Sequence, residues 1–310
     1  MNSIESLTSE FNAQISELGK INNDKISNNL IFVGSGDSYV AALITEYLTH
    51  HKCRCYSPSD LFSSELSRDR TYCFVSVTGR TKANISVAKR ASRVGSKTVA
   101  ITFSENSELA HLCDKIIHPN LKRAHTPTAG FGSFVANAIT CLQVAGITVP
   151  KKFGLWYHNA LKISKNVLES VVLPEDTVFV LGNNTLYPLA VYTSLQMAEF
   201  FGTTSVAQKL EEFCHSPIFG IKKSHQLLVL GQKEETISQK LSQLGLKISY
   251  IDLYNQDPLS QLFESIFFVQ NLMLVLAEKF GYTELKYLKM KSVLEASSDL
   301  IYFDNTPHPG

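Results

Sequence analysis

Along the first half of the chain, short unbroken apolar runs alternate with stretches whose apolar residues recur at helical spacing. The runs 30–33, 53–56, 72–75, 98–102 and 115–118 predict strands covered on both faces, because a strand with one wet face would alternate apolar and polar positions. Helical periodicity lies between them, at 39–49, 82–94, 107–113 and 131–145, after an amphipathic opening helix. Strand, Gly/Ser/Thr-rich turn and helix repeat in that order, which predicts a doubly wound α/β unit. The pattern breaks near Val149 and Pro150, a helical connector is expected over about 154–170, and a second series begins. Its strands are expected at 178–181, 226–230 and 248–253, with helices near 234–244 and 259–280. The chain thus reads as two tandem α/β halves, 1–150 and 151–310. The segments IFVGSGDSY and VFVLGNNTLY align with Gly34 on Gly182 and Tyr39 on Tyr187. That alignment fits either a duplication or two unrelated strand-turn-helix units.

Composition narrows the ligand more than the fold. With 29 Lys and Arg against 28 Asp and Glu, the net charge is +1, and 44% of the 310 residues are apolar. Such a chain packs a core and is not intrinsically disordered. It has no field to gather nucleic acid or an anionic membrane, so an anionic ligand must be held by local geometry. The N-terminal segment lacks the apolar core of a secretory signal, which predicts a cytoplasmic protein. The most apolar stretch, 265–277, carries Gln270 and Asn271, is short for a membrane span and predicts a buried helix. Six cysteines without a Cys-x-x-Cys pair predict reduced core thiols, and the histidines show no metal-ligand spacing, so neither metal nor cofactor is expected.

Four segments carry candidate chemistry. Gly34-Ser35-Gly36-Asp37-Ser38-Tyr39 follows a strand and opens a helix. Such a turn can receive an anion on backbone N–H groups and a serine hydroxyl, or be a plain turn capped by Ser or Asp. Ser76-Val77-Thr78-Gly79-Arg80-Thr81 places three hydroxyls around one glycine at a helix start, where capping needs only one. This segment is the most specific anion signal in the chain. The loop from Thr126 through Pro127 and Gly130 to Ser133 enters the next helix. In the run 196–217, Glu199, Glu212 and His215 could move protons if brought to one pocket; each residue alone is as readily a solvated charge or a loop histidine.

Taken together these segments resemble the sugar isomerase (SIS) domain family, over about residues 28–293, and above all its two-domain isomerases and deaminases of sugar phosphates. Ser76, Thr78, Gly79 and Thr81 are similar to the family's phosphate loop, Gly34, Ser38 and Tyr39 to its first turn, and Pro127, Gly130 and Ser133 to its third loop. The sixteen residues from Glu199 to His215, with Glu212 three before the histidine, match the family's catalytic spacing. The resemblance implies two flavodoxin-like αβα sandwiches in tandem. It also implies substrate contacts from Gly36, Ser38, Ser76, Thr78, Gly79, Thr81 and Ser133. His215 would open the sugar ring, and Glu199 would carry a proton between C1 and C2 through an enediol or enolamine. Lys291 would fall on the family's C-terminal lysine, while Gln196 stands where glutamine-dependent synthases of the family have a lysine. A homodimer sharing its active sites and a phosphorylated sugar as the small partner follow from the same resemblance; the net charge already speaks against nucleic acid or a membrane as partner. The competing reading is a phosphosugar-binding regulator that has lost catalysis, for which Gln196 speaks.

Overall fold

The computed structural model describes residues 1–26, 29–121, 130–167, 171, 176–231 and 235–303. The third sequence loop therefore lies outside the described residues from Thr126 to Ala129. Two compact units are formed, one from Met1–Phe11 with Lys152–Lys289 and the other from Asn12–Lys151 with Met290–Gly310. Each terminus thus joins the unit built mainly from the opposite half of the chain.

After α1 (Ser3–Leu18), the unit of residues 12–151 runs β1 (Leu30–Val33), α2 (Asp37–Leu48), β2 (Arg54–Tyr56), β3 (Thr71–Val75), α3 (Lys82–Arg93) and β4 (Lys97–Ile101). It continues with α4 (Glu108–Leu112), β5 (Lys115–Ile117) and α5 (Phe131–Val144). Its five parallel strands lie in the order β2-β1-β3-β4-β5, the flavodoxin-like order. Every residue of β3 is buried, as a central strand covered on both faces requires. Buried Glu46 of α2 fixes the edge strand, accepting from the Cys55 backbone N–H at 2.6 Å and pairing with His51 at 2.9 Å and Arg54 at 3.3 Å.

The other unit holds α6 (Phe153–Val167), β6 (Thr177–Gly182), α7 (Tyr187–Phe201), β7 (Thr204–Gln208), α8 (Leu210–His215) and β8 (Gln226–Leu230). It closes with α9 (Glu235–Gln243), β9 (Lys247–Ile251), α10 (Pro258–Lys279) and α11 (Lys286–Lys289). Its four parallel strands are ordered β7-β6-β8-β9, repeating the β2-β1-β3-β4 part of the first sheet. The sequence pattern does not foreshadow β7: it is a half-exposed edge strand, and Thr-Thr-Ser-Val-Ala-Gln lacks an apolar run. The core of this unit is aromatic, with Trp156 stacked on Phe263 at 4.8 Å and its indole N–H donating to Ser260 at 2.9 Å. The apolar stretch 265–277 belongs to a longer helix, α10, whose 22 residues reach membrane-spanning length and hydropathy; 67% of its apolar window is buried within the protein. Four of the six free cysteines are buried, Cys113 is half-buried, and Cys214 on α8 is exposed rather than in the core.

Gly34 and Gly182 end the first strand of each sheet in the same way. A Cβ on Gly34 would stand 2.9 Å from the Ser38 carbonyl and the Tyr39 nitrogen; on Gly182 it would stand 2.5 Å from the Leu186 carbonyl oxygen. Each strand is followed at once by a turn folded back against its last residue, which only glycine permits.

Candidate functional site

The loops after β1 and β3 leave the carboxyl ends of neighbouring parallel strands, Val33 being paired with Phe74. Between those strands the sheet order reverses, the place where open α/β sheets take up ligands. In the first loop the helix cap is Gly36, at φ 55°, with no side-chain capping bond; neither Ser nor Asp caps the helix. Asp37 and Ser38 fall in the first turn of α2, Ser38 nearly buried. Burial pushes the Asp37 carboxyl up to about 7 from an ordinary 3.8, outweighing the helix N-terminus, which favours the anion. Between those two pH values the folded protein keeps a proton that the unfolded chain has lost, so stability falls as pH rises through the window and levels off above about 7. Asp37→Asn is accordingly expected to raise the melting temperature at pH 8 and to leave it nearly unchanged at pH 4. An equal shift at both pH values in thermal melts would contradict the buried, protonated carboxyl.

In the second loop, Ser76 is buried and its hydroxyl accepts from the Gly79 N–H at 3.1 Å, which closes the turn. Gly79 sits at φ 65°, and a Cβ there would overlap the hydroxyl and Cβ of Ser107. Thr102 anchors the same turn, its hydroxyl donating to the Val77 carbonyl at 3.3 Å. Thr81 is the cap of α3 by position, yet its side chain makes no capping bond. Capping thus does not account for the threonine, and the first turn of a twelve-residue helix keeps N–H groups directed past it. Ser133, in the first turn of α5, is nearly buried and donates its proton back to the Gly130 carbonyl at 2.9 Å.

The C-terminal segment closes on this loop. Tyr302 forms an antiparallel bridge with Thr81, and the Arg80 guanidinium lies 5.6 Å from the Tyr302 ring centre. Lys82 donates to the Asp299 carbonyl at 2.7 Å and stands over the Phe303 ring. Burial raises the Tyr302 phenol pKa, against the opposing pull of Arg80. Lys291 is exposed at the start of α12 (Lys291–Ile301), so about 15 Å of helix separates it from the residues that meet the loop.

A cavity of about 630 Å³ opens beside the second loop, at the ends of β3, β4 and β5. Among the described residues, Thr78 and Arg80 of the second loop line it, and Phe103, Ser107, His118 and Asn120 supply much of the rest. The His118 Nδ1 accepts from the Asn120 N–H at 2.9 Å, which puts the proton of the neutral ring on Nε2. The sequence pattern does not single out Phe103, His118 and Asn120, because they converge on the second loop from the ends of two other strands. The one local sign was Ser107, whose hydroxyl caps α4 by accepting from Ala110 at 3.3 Å.

In the other unit, Glu199 occupies the last turn of α7, half-buried, with the Gln196 amide donating to it at 3.5 Å. Gln196 itself is fully buried. Burial, followed by the charge of Glu199, pushes the Tyr287 phenol on α11 up to about 12. Glu212 and His215 are exposed on α8. Among the described residues no hydrogen bond or ion pair joins His215 to Glu199 or Glu212.

Residues 26–145 match the SIS domain family. The chain is 23% identical over 222 residues to a glutamine–fructose-6-phosphate aminotransferase (isomerizing) of Campylobacter jejuni, covering 64% of this chain and 37% of that protein. A Clostridium tetani protein of the same name is 23% identical over 255 residues, 74% of this chain and 41% of its own. The chain spans about two fifths of the length of these curated relatives. Its fold is similar to that of a glucosamine-6-phosphate deaminase from Thermotoga maritima, with a TM-score of 0.71 at 19% identity over 90% of this chain and 96% of that one. The tagatose-6-phosphate ketose/aldose isomerase of Escherichia coli gives 0.60 at 16% identity, covering 91% of each chain.

Proposed function

From the match of residues 26–145 to the SIS domain family, we propose that the protein binds a 6-phosphorylated hexose or amino sugar and interconverts its aldose and ketose forms. The observation that carries this reading is the second loop: Ser76 closes the turn, while Thr81 stands at a helix start without capping it. Hydroxyls and N–H groups at a switch point suit a phosphate in a chain of net charge +1, since they need no local cation. Gly36, Ser38, Thr78, Gly79 and Ser133 complete the proposed sugar-phosphate surface, and Arg80 and Tyr302 shield its outer edge. The similarity to an aminotransferase, a deaminase and an aldose-ketose isomerase supports the same substrate class.

In the proposed reaction His215 takes the proton of the anomeric hydroxyl and delivers one to the ring oxygen as the hemiacetal opens. Glu199 then takes the proton from C2 of the aldose and returns it to C1, while a proton passes between the oxygens on those carbons through the enediol. With an amino group at C2 the same transfer passes through an enolamine to the C2 imine, and water then hydrolyses the C=N bond to the ketose and ammonia. Glu212, three residues before His215, and Lys291 are the further catalytic candidates. We place the enzyme in the cytoplasm, as two tandem domains over 1–150 and 151–310, in a homodimer whose subunits lend each other His215.

The test is a coupled assay of the purified protein with glucosamine-6-phosphate and, separately, fructose-6-phosphate. Ammonia from the first is the result expected of a deaminase, and an aldose phosphate without ammonia that of an isomerase. Turnover of neither substrate would overturn the catalytic reading, and sedimentation as a monomer at micromolar concentration would remove the shared site.

A further inference from the structure

The second sheet has a switch point of its own. Its strands β7-β6-β8-β9 repeat the order of β2-β1-β3-β4, and Gly182 makes the same close turn after β6 that Gly34 makes after β1. At the carboxyl ends of β6, β8 and β9 lies a cavity of about 340 Å³, within the usual range of small-ligand sites. Its chemistry departs from that of the first loop. Where β3 is followed by Ser76, β8 is followed by Gly231. No Asp, Glu, Lys, Arg or His lines the cavity among the described residues.

What lines it instead is amide, hydroxyl and phenol: Asn183, Asn184, Thr185, Gln261, Tyr250 and Tyr254, over a floor that includes Leu186 and Val229. The Asn183 side-chain oxygen accepts from the Leu210 N–H at 3.1 Å, and the Gln261 oxygen accepts from the Thr185 hydroxyl at 3.3 Å. With both carboxamide oxygens engaged, each NH₂ group is the part left to donate to a ligand. Neutral donors above an apolar floor, with a phenol ring 58% exposed at the mouth in Tyr254, suit a ligand with many oxygen acceptors, no charge and an apolar C–H face.

We propose that the cleft at the ends of β6, β8 and β9 is a second ligand site, which takes an unphosphorylated, uncharged sugar. The inference stands on this cavity alone and does not depend on the reading of the phosphate loop. Its test is titration of the full chain with N-acetylglucosamine, a neutral sugar with hydroxyl and amide groups, followed by calorimetry and saturation-transfer NMR. Saturable binding is expected, weakened about tenfold in both Gln261→Leu and Tyr254→Ala and unchanged in Thr81→Val, since each of the first two removes one directed contact. Tyr254 is exposed, so its variant reports on the site even if Gln261→Leu fails to fold. Absence of saturable binding would overturn the proposal, as would binding that survives both cleft variants or is lost in Thr81→Val.

Discussion

Glu199→Gln is expected to lower turnover of a phosphorylated hexose at least about 100-fold, the loss that follows removal of a positioned general acid/base. The carboxylate sits in the last turn of α7, at the negative end of the helix dipole, where an acid weakens the helix. Its placement is therefore not explained by stability. Glutamine keeps the volume and can still face Gln196, which now holds Glu199 at 3.5 Å, so the fold and the melting temperature are expected to be preserved. Fructose-6-phosphate affinity is expected to survive as well, because the phosphate contacts belong to other residues. A second readout is independent of activity: the Tyr287 phenol, pushed up to about 12 by burial and then by this charge, is expected to titrate at lower pH in the variant while staying above an ordinary tyrosine. Turnover equal to wild type in steady-state kinetics would take Glu199 out of the mechanism.

Gly79→Ala is expected to damage both stability and phosphosugar binding. At φ 65° an alanine occupies the left-handed region at a cost of about 1–2 kcal/mol, before any clash is counted. The new Cβ overlaps Ser107, whose hydroxyl caps α4, so either the cap or the loop must move. Loss of the cap adds about 1 kcal/mol. Together these predict a melting temperature lower by several degrees and fructose-6-phosphate affinity reduced more than tenfold, since the Gly79 N–H and the Thr81 position both shift. Ser107→Gly in the same chain clears the overlap and costs little as a cap residue, so part of the stability is expected to return. If thermal melts show no loss in Gly79→Ala, or no recovery in the double variant, the tight contact between these two turns is wrong.

The strand pattern was legible wherever burial on both faces forced a continuous apolar run. The bounds of β1 and β8 follow directly from Leu30–Val33 and Gln226–Leu230, and β3 only starts one residue earlier than its apolar run. β7 was illegible for the same physical reason: an edge strand needs no apolar run, and Thr204 to Gln208 are half-exposed. The glycine and hydroxyl spacing located the second loop, because the residues that build such a turn are contiguous in sequence. The cavity beside it was not legible, since Phe103, Ser107, His118 and Asn120 meet only when β4 and β5 come into register. Asp37 looked like an ordinary helix-start acid, and burial, which pattern alone does not give, raises its carboxyl pKa. The offset between Gly34 and Gly182 left duplication open; the same steric contact behind each glycine now gives that offset a physical meaning.

The most direct measurement of the central claim, that the Ser76–Thr81 loop holds a sugar phosphate, is a calorimetric titration of the wild-type protein and Thr81→Val with fructose-6-phosphate and with fructose. The account predicts saturable binding of the phosphorylated sugar only, weakened at least tenfold in the variant as a hydroxyl that donates to a dianion is removed. Equal affinity for the two sugars, or fructose-6-phosphate binding unchanged in Thr81→Val, would contradict it.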